Sequence, residues 1–343
     1  MSKLIKVDAE YNQWILNLSE RFKQSQIKAA FSVNSEMLQF YWSLGEDLVK
    51  LKAESKWGDG VIKSVSQDLQ RQLPEVKGFS VTNIGYMKRF YLLYSQIDSI
   101  YPQVGGELYL IPWGHHKYII DKFSSEPQKA LFYVRKTIQN KWSRAVLLNF
   151  IDTDLYEREG KAISNFDKAL PMPQSDLAQE MTKDPYNFDF LAITENYREK
   201  ELKEALIHNI TKFLLELGTG FAFVGKEYRL QIGNKEKFID MLFYNLSLKC
   251  YVVIELKINE FDSDNVGQIG TYISAVNHIL KRTDDNPTIG LLICKTKDNV
   301  LAQYALEATN QPIGISEYEL TKLYPVNFKG TLPSIEDIEN ELK

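Results

Sequence analysis

The chain has 343 residues, of which 44% are hydrophobic and 25% charged, and its formal net charge is −4. This length suits two domains better than one, and the composition is that of an ordinary globular protein. No apolar run approaches the roughly 18 residues of a membrane span, and the first residues lack the apolar core of a signal peptide. Cys250 and Cys294 lie in apolar runs that indicate buried small hydrophobes, not a disulfide or a zinc site. We therefore expect a cytoplasmic protein without membrane attachment.

Charge is distributed unevenly along the chain. Residues 1–150 contain 20 Lys and Arg against 14 Asp and Glu, a balance of +6, whereas residues 176–343 contain 18 against 26, a balance of −8. A basic first part and an acidic second part fit a module that contacts nucleic acid, joined to one that binds metal. An imbalance of this size also arises without such a cause, so charge alone decides nothing.

The first 54 residues carry the pattern of long helices. Polar residues around Ser32–Ser35 predict a break, so residues 8–54 are expected to form two helices. The positions at helical spacing are Trp14, Ile15, Leu18 and Phe22, then Met37, Phe40, Tyr41, Leu44 and Leu48.

A second helical pair follows Gly60. The turn Pro74–Phe79 separates a short helix from a helix predicted over Val81 to about Ser95, with Ser80 as its N-cap. Two short helices joined by a turn resemble a helix-turn-helix, whose second helix contacts nucleic acid. Packing within a helical domain explains the same pattern equally well. The side chains that a helix-turn-helix would present to nucleic acid are Asn83, Lys88 and Arg89.

Residues 112–155 add further helices. His115 and His116 are adjacent on a helix and point about 100° apart, so they make a poor metal pair. A contact to phosphate at the helix start, or packing, is expected instead. Helices near 125–139 and 142–155 form the most basic part of the chain and a candidate phosphate-contacting face, although a solvated surface has the same composition. Its cations are Lys129, Arg135, Lys136, Lys141 and Arg144.

Periodicity fades from Gly160 to Asp184, and we place the domain boundary near residue 175, giving domains 1–175 and 176–343. The second domain has the predicted order α-β-β-β-α-β-α-β, beginning with one long helix over about 196–217. This order indicates an α/β domain with a mixed sheet flanked by helices, so the whole chain is α+β. The predicted strands are Ala222–Ile232, Phe238–Tyr244, Cys250–Ile258, Thr288–Cys294 and Ile313–Ile315.

Charged residues interrupt the apolar strands at one place. Glu255 and Lys257 share one face of a strand, and a turn at Asn245–Lys249 would place Asp240 opposite or nearly opposite Glu255, with a possible slip of a residue or two. Two carboxylates facing each other across a sheet are destabilising, and a divalent cation between them removes the conflict. Oxygen ligands of this kind suit Mg²⁺. A buried ion pair with lysine is the alternative interpretation.

These residues resemble a known motif. Asp240, followed fifteen positions later by Glu255-Leu256-Lys257 in an apolar strand, resembles the PD-(D/E)xK nuclease superfamily. Gln268-x-x-x-Tyr272 resembles an additional motif of its exonuclease-like and RecB-like branches. The whole chain is similar to the bacterial YhcG-like family, in which a helical, winged-helix-like N-terminal domain precedes a restriction-endonuclease-like nuclease domain. The segments that carry this similarity are Pro112–His116, Asp184–Phe190, Phe213–Gly225, Phe238–Tyr244 and Cys250–Lys257.

The resemblance implies a metal-dependent phosphodiesterase. Asp240 and Glu255 would bind Mg²⁺, with Mn²⁺ as a substitute, and Lys257 would serve catalysis. Gln268 would support the substrate or the site geometry, and Tyr272 would be structural. The residue before Asp240 is Ile239, where the motif often has proline.

The superfamily often adds an acidic residue from the first helix of the nuclease domain. Glu204 is the expected residue and Glu201 the reserve, although an ordinary solvated stripe remains an equal alternative. The expected substrate is DNA, with RNA left open, and the helical domain would recruit nucleic acid or a partner. A homodimer would supply two sites for cutting two strands. The alternative function is a non-catalytic DNA-binding or assembly protein that keeps the nuclease fold.

Overall fold

The computed structural model describes residues 9–97 and 106–324. Contacts between residues divide the chain into two compact units, Met1–Tyr156 and Glu157–Lys343. None of the helices in the described ranges combines the length and the hydropathy that crossing a membrane requires.

The first unit is built from helices. Two clusters of buried apolar side chains form its interior, one around Leu38, Ile84 and Met87 and the other around Phe90 and Tyr133. Ser80 caps the fourth helix as predicted, because its hydroxyl accepts a hydrogen bond from the Asn83 backbone N–H at 3.2 Å. Its helices include α1 (Ala9–Lys50), α2 (Ala53–Trp57), α3 (Val61–Gln72), α4 (Val81–Tyr94), α5 (Trp113–Lys122), α6 (Pro127–Asn140) and α7 (Arg144–Asp152), and the short α8 (Leu155–Arg158) begins in this unit and ends in the second.

The predicted break near Ser32–Ser35 is wrong, because α1 runs unbroken from Ala9 to Lys50. Serine and asparagine lower helix propensity by well under ~1 kcal/mol each, so they do not end a helix that packing supports. Asn34 does not turn its side chain onto its own backbone. Its amide instead donates to the carbonyl oxygens of Tyr109 and Ile111, both at 3.2 Å.

Close packing of α1 on α4 depends on Gly45. A Cβ atom at this position would lie 2.2 Å from the Met87 carbonyl oxygen and 3.0 Å from the Tyr91 Cβ atom. Gly45→Ala is therefore expected to lower the free energy of unfolding by about 2 kcal/mol, since backbone atoms must move apart. Urea denaturation followed by circular dichroism measures the loss.

Gly85 provides the matched control on α4, because a Cβ atom there would have no atom within 4 Å. Gly85→Ala is expected to raise the free energy of unfolding by about 0.5 kcal/mol, through the lower entropy of the unfolded chain. A Gly45→Ala variant as stable as Gly85→Ala would contradict the close approach of the two helices.

The second unit is organised around a mixed sheet. Its strands are β1 (Ile163–Ser164), β2 (Tyr186–Asn187), β3 (Ile193–Thr194), β4 (Phe221–Ile232), β5 (Lys235–Asn245), β6 (Cys250–Glu260), β7 (Ile289–Thr296), β8 (Ile313–Glu319) and β9 (Leu323–Tyr324). The strand order of the main sheet is β1-β8-β7-β6-β5-β4, with β2 also paired to β8. Strands β4, β5 and β6 are antiparallel neighbours, whereas β6, β7 and β8 run parallel. Together with the helical first unit, this sheet confirms the predicted fold class.

Helices cover the sheet and enclose two apolar cores. One core joins Phe213 and Leu217 to Met241 and Phe243 of β5. The other joins Ile269 and Ile273 to Val253 and Leu292. Side chains alternate along β6 accordingly, so Val253 and Glu255 point towards the second core. The helices of this unit are α9 (Phe166–Ala169), α10 (Gln174–Glu180), α11 (Glu199–His208), α12 (Ile210–Leu217), α13 (Asp264–Ile279) and α14 (Asn299–Glu307).

Two further features differ from the expectation. Phe166 and Leu170 precede the boundary that we expected near residue 175. Both nevertheless pack in the first of these two cores and therefore belong to the second unit. The helix expected over 196–217 is divided at Asn209, so the prediction of one long helix is wrong. The Asn209 side chain donates to the Ala205 carbonyl oxygen at 3.0 Å, and this local bond competes with continued helix.

Candidate active site

The site lies where β5 and β6 separate. Their paired residues run from Asn245 opposite Cys250 to Met241 opposite Ile254, so Asp240 and Glu255 come next in the same register. Beyond this point β5 stays paired with β4, and β6 stays paired with β7. The predicted facing of the two carboxylates is confirmed, because the loop between the strands is symmetric and the register does not slip.

Each of the two carboxylates accepts a hydrogen bond from a backbone N–H of the opposite strand. The Asp240 backbone N–H donates to Glu255 Oε1 at 3.1 Å, and the Leu256 backbone N–H donates to Asp240 Oδ2 at 3.0 Å. These bonds use donors that would otherwise lose partners where the strands part. One oxygen of each carboxylate is thus anchored, and the other, Asp240 Oδ1 or Glu255 Oε2, is left for other contacts.

Two lysines meet these remaining oxygens. The Lys203 ammonium donates to Asp240 Oδ1, and it also donates to Glu199 Oε1 at 2.8 Å. The Lys257 Nζ atom lies 3.7 Å from Glu255 Oε2. Only 2% of the Glu255 side chain and 12% of the Asp240 side chain are exposed. The cluster therefore pairs two buried carboxylates with two ammonium groups.

Both carboxylates keep raised pKa values in spite of the two ammonium groups. Burial, and next the charge of Asp240, raises the pKa of Glu255 to about 8. Burial also raises the pKa of Asp240, against the opposing effect of the hydrogen bond from Lys203. An additional cation at this place would stabilise both carboxylates in their ionised form.

The donor set fits a hard divalent cation. Two carboxylate oxygens suit Mg²⁺ or Mn²⁺, and Lys203 already stands in for a cation on Asp240. Within 9–97 and 106–324, no three His, Cys, Asp or Glu side chains gather into a closed metal site. A Mg²⁺ ion bound by one or two carboxylates keeps positions for water and phosphate, as this cluster requires.

Gln268 and Tyr272 border the cluster from α13. The Gln268 amide donates to Glu255 Oε2 at 3.4 Å and to the Tyr272 hydroxyl at 3.2 Å. Tyr272 is 5% exposed and packs in the second core, so its contact with the carboxylates passes through Gln268. The structure thus brings Asp240, Glu255, Lys257 and Gln268 together.

The structure does not bring Glu204 or Glu201 to this cluster. The Glu204 carboxylate is exposed and lies 3.9 Å from Lys200, and Glu201 pairs with Arg198 at 2.8 Å. At 100° per residue, Glu204 is about 200° from the buried Leu202, which puts it on the solvent side of α11. This expectation is corrected, since the rotation of the helix directs another pair to the site.

Glu199 and Lys203 are the residues that the sequence analysis missed. They lie one turn apart on α11, and about 60° and 100° from Leu202. The apolar stripe that contains Leu202 and Leu206 is the sequence feature that could have identified Glu199 and Lys203. A charged residue next to the stripe borders the core, whereas one opposite the stripe faces solvent.

The residues proposed for a helix-turn-helix contact are engaged within the first unit. The Asn83 amide donates to the Gly78 carbonyl oxygen at 2.7 Å. Lys88 pairs with Glu54 at 2.5 Å, and Arg89 pairs with Asp121 at 2.8 Å. These contacts favour the helical-packing interpretation of this segment.

The adjacent histidines also have packing roles. His115 and His116 are buried, and their ring nitrogens lie 3.1 Å and 2.7 Å from the carbonyl oxygens of Trp142 and Leu108. Burial lowers the pKa of His116 to about 4, so this ring stays neutral at physiological pH.

Two cations of the candidate phosphate-contacting face pair with acidic residues. Lys129 pairs with Asp154 and Arg135 pairs with Glu107, each at 2.9 Å.

Comparisons with known proteins match each part of the chain to a family model. Residues 17–158 match the family described as "DUF1016 N-terminal domain", and residues 179–333 match "YhcG PDDEXK nuclease domain". A curated protein of Escherichia coli strain K12, "Putative nuclease YhcG", is 29% identical over 325 residues and covers 84% of each chain.

Two solved structures are similar to a smaller part of this chain. They are a repair endonuclease from Pyrococcus abyssi, with a TM-score of 0.26, and EndoMS in its apo form, with a TM-score of 0.25. Each is 20% identical and covers 38% of this chain, and this chain spans about half of their length, 50% and 49%.

Proposed function

Because the chain belongs to the YhcG-like family of PD-(D/E)xK nucleases, we propose that it is a metal-dependent nuclease that hydrolyses phosphodiester bonds in DNA. The proposed metal dependence rests on one observation. Asp240 and Glu255 are anchored to each other through the backbone at the point where two strands part, and each keeps one oxygen directed into the site. A divalent cation on these two oxygens would supply more positive charge than the lysine ammonium groups that now pair with them.

The proposed roles follow from the position of each side chain. Asp240 Oδ1 and Glu255 Oε2 would hold Mg²⁺, which polarises a phosphodiester and lowers the pKa of water when bound. Lys257 is near Glu255 and partly exposed, so its ammonium can reach the phosphate and stabilise the negative charge that develops there. Gln268 fixes the orientation of the Glu255 carboxylate through its amide.

The rest of the protein would serve the same reaction. The helical domain would recruit nucleic acid or a partner, and a homodimer would present two sites to a duplex. Cys250 and Cys294 are free and buried, which fits a reducing compartment such as the cytoplasm. Light scattering of the purified chain, alone and with DNA, measures the number of copies.

A cleavage assay on the purified full chain tests the function. Supercoiled plasmid, end-labelled single- and double-stranded DNA, and RNA would each be incubated with Mg²⁺, Mn²⁺ or EDTA. We expect cleavage of DNA with either ion and none in EDTA. Tight binding of DNA without cleavage under any condition would favour the non-catalytic binding protein, and cleavage of RNA alone would reassign the substrate.

Glu204→Gln tests whether Glu204 lies outside the active site. Because the Glu204 carboxylate is exposed and paired with Lys200, we expect the cleavage rate to stay within about twofold of wild type. The rate is measured with the enzyme in excess of end-labelled DNA. A loss of about a hundredfold, the usual cost of removing a catalytic group, would return Glu204 to the site.

A further inference from the structure

The contacts of Lys203 go beyond the proposed chemistry. Of the four carboxylate oxygens in the cluster, one of each pair is held by a backbone N–H, and Gln268 and Lys257 lie near Glu255 Oε2. Asp240 Oδ1 is the remaining oxygen, and the Lys203 ammonium is bound to it. Lys203 therefore occupies the atom of Asp240 that a divalent ion would use.

Lys203 also has a second acceptor in the same helix. Its ammonium is shared with Glu199 Oε1 at 2.8 Å, one turn earlier on α11, and 20% of the Lys203 side chain is exposed. The long side chain can leave Asp240 and stay paired with Glu199 by rotation about its own bonds. No movement of the backbone is required.

The charges make such a transfer favourable when an ion binds. Without the ion, the ammonium groups of Lys203 and Lys257 face Asp240 and Glu255 in equal number. A divalent ion on Asp240 would repel an ammonium bound to the same carboxylate. Glu199 offers the displaced ammonium a carboxylate at the edge of the site, so that Lys203 is not left buried and unpaired.

We propose that Lys203 is the resident counter-cation of the site, that it competes with the divalent ion for Asp240, and that Glu199 receives it when the ion binds. This inference rests on the proposed function, since it presupposes that Asp240 binds a metal ion. It adds a positioning role for two residues outside the motif and makes metal binding an exchange of cations.

Calorimetric titration of the metal-stripped full chain with Mn²⁺ tests the exchange. Lys203→Met is expected to bind Mn²⁺ about tenfold more tightly than wild type, because the competitor is gone. Glu199→Gln is expected to bind it about tenfold more weakly, because the displaced ammonium loses the negative charge of its second partner. The two changes thus move the affinity in opposite directions.

Lys200 and Glu204 give matched controls. They lie on the same helix and carry the same charges, but their side chains are 75% and 49% exposed and lie 3.9 Å apart. Lys200→Met and Glu204→Gln are expected to change the affinity by less than about twofold, since their charges are screened by solvent. A similar effect from the control variants would show that overall charge, and not exchange at Asp240, sets the affinity.

The outcomes separate this inference from the proposed function. Wild-type binding of Mn²⁺ with equal or weaker binding by Lys203→Met would overturn the exchange and leave the nuclease proposal intact. Absence of Mn²⁺ binding in wild type would overturn both. If Lys203→Met fails to fold, judged by circular dichroism, Lys203→Gln carries the same expectation because it keeps a hydrogen-bonding side chain without the charge. The direction of the Glu199→Gln effect stands as an independent check.

Discussion

Asp240→Asn is expected to lower the rate of DNA cleavage by about a thousandfold or more. The side-chain oxygen of the introduced asparagine can still accept the bond that Leu256 donates to Asp240, so the strands keep their arrangement. The neutral amide is a poor ligand for Mg²⁺, and the site loses the charge that would hold the ion. Rates with the enzyme in excess of labelled DNA, at saturating Mg²⁺, measure the loss without a contribution from product release.

Lys257→Ala separates the reaction from ion binding. Its ammonium is expected to act on the phosphate, so the variant should lose about a hundredfold in rate. It should bind Mn²⁺ at least as tightly as wild type, because Asp240 and Glu255 remain and an ammonium group near Glu255 Oε2 is removed. Lys200→Met, an exposed lysine on α11, is the control and should cut at the wild-type rate. If the two site variants cut as fast as wild type, a contaminating nuclease or another site does the cutting.

Glu255→Gln is expected to stabilise the ion-free protein at high pH. The pKa of Glu255 is raised to about 8 by burial and by the charge of Asp240. A carboxyl with a raised pKa binds its proton more tightly in the folded state, so its contribution to stability falls as pH rises from about 4.5 to about 8. Glutamine is neutral at every pH, so the variant should be clearly more stable than wild type at pH 9 and should differ little from it at pH 4.5.

Urea denaturation in EDTA at several pH values measures this difference. Mg²⁺ should then stabilise wild type but not the variant, because the neutral amide of the introduced glutamine would not bind the ion. Glu216 is a matched contrast, since it is also buried but pairs with Arg158 at 2.6 Å. Glu216→Gln should destabilise the protein because it removes a charged partner of the buried Arg158 guanidinium. A Glu255→Gln variant less stable than wild type at pH 9 would show that the Glu255 charge is already compensated.

Much of this arrangement could be read from the sequence because it depends on short-range rules. Alternation of side chains along β6 placed Glu255 and Lys257 on one face, and a symmetric loop fixed Asp240 opposite Glu255. The spacing of Gln268 and Tyr272 put both on one face of α13, where they do contact each other. These features need only the period of a strand or a helix.

Features that depend on tertiary contacts were not predictable in the same way. Asn34 continues a helix because carbonyl groups far along the chain satisfy its amide, whereas Asn209 interrupts one because its amide binds the local backbone. The same residue type thus gives opposite results. Lys203 was overlooked because its position beside the apolar stripe puts it at the border of the core without indicating its partner, and only the packing of α11 shows that it meets Asp240.

We expect Asp240 and Glu255 together to hold one divalent ion. An anomalous difference map from a crystal soaked in Mn²⁺ tests it most directly. We predict one peak in contact with Asp240 Oδ1 and Glu255 Oε2, with the Lys203 ammonium moved from Asp240 to Glu199. A map without a peak between the two carboxylates, at an ion concentration that supports DNA cleavage, would contradict this expectation.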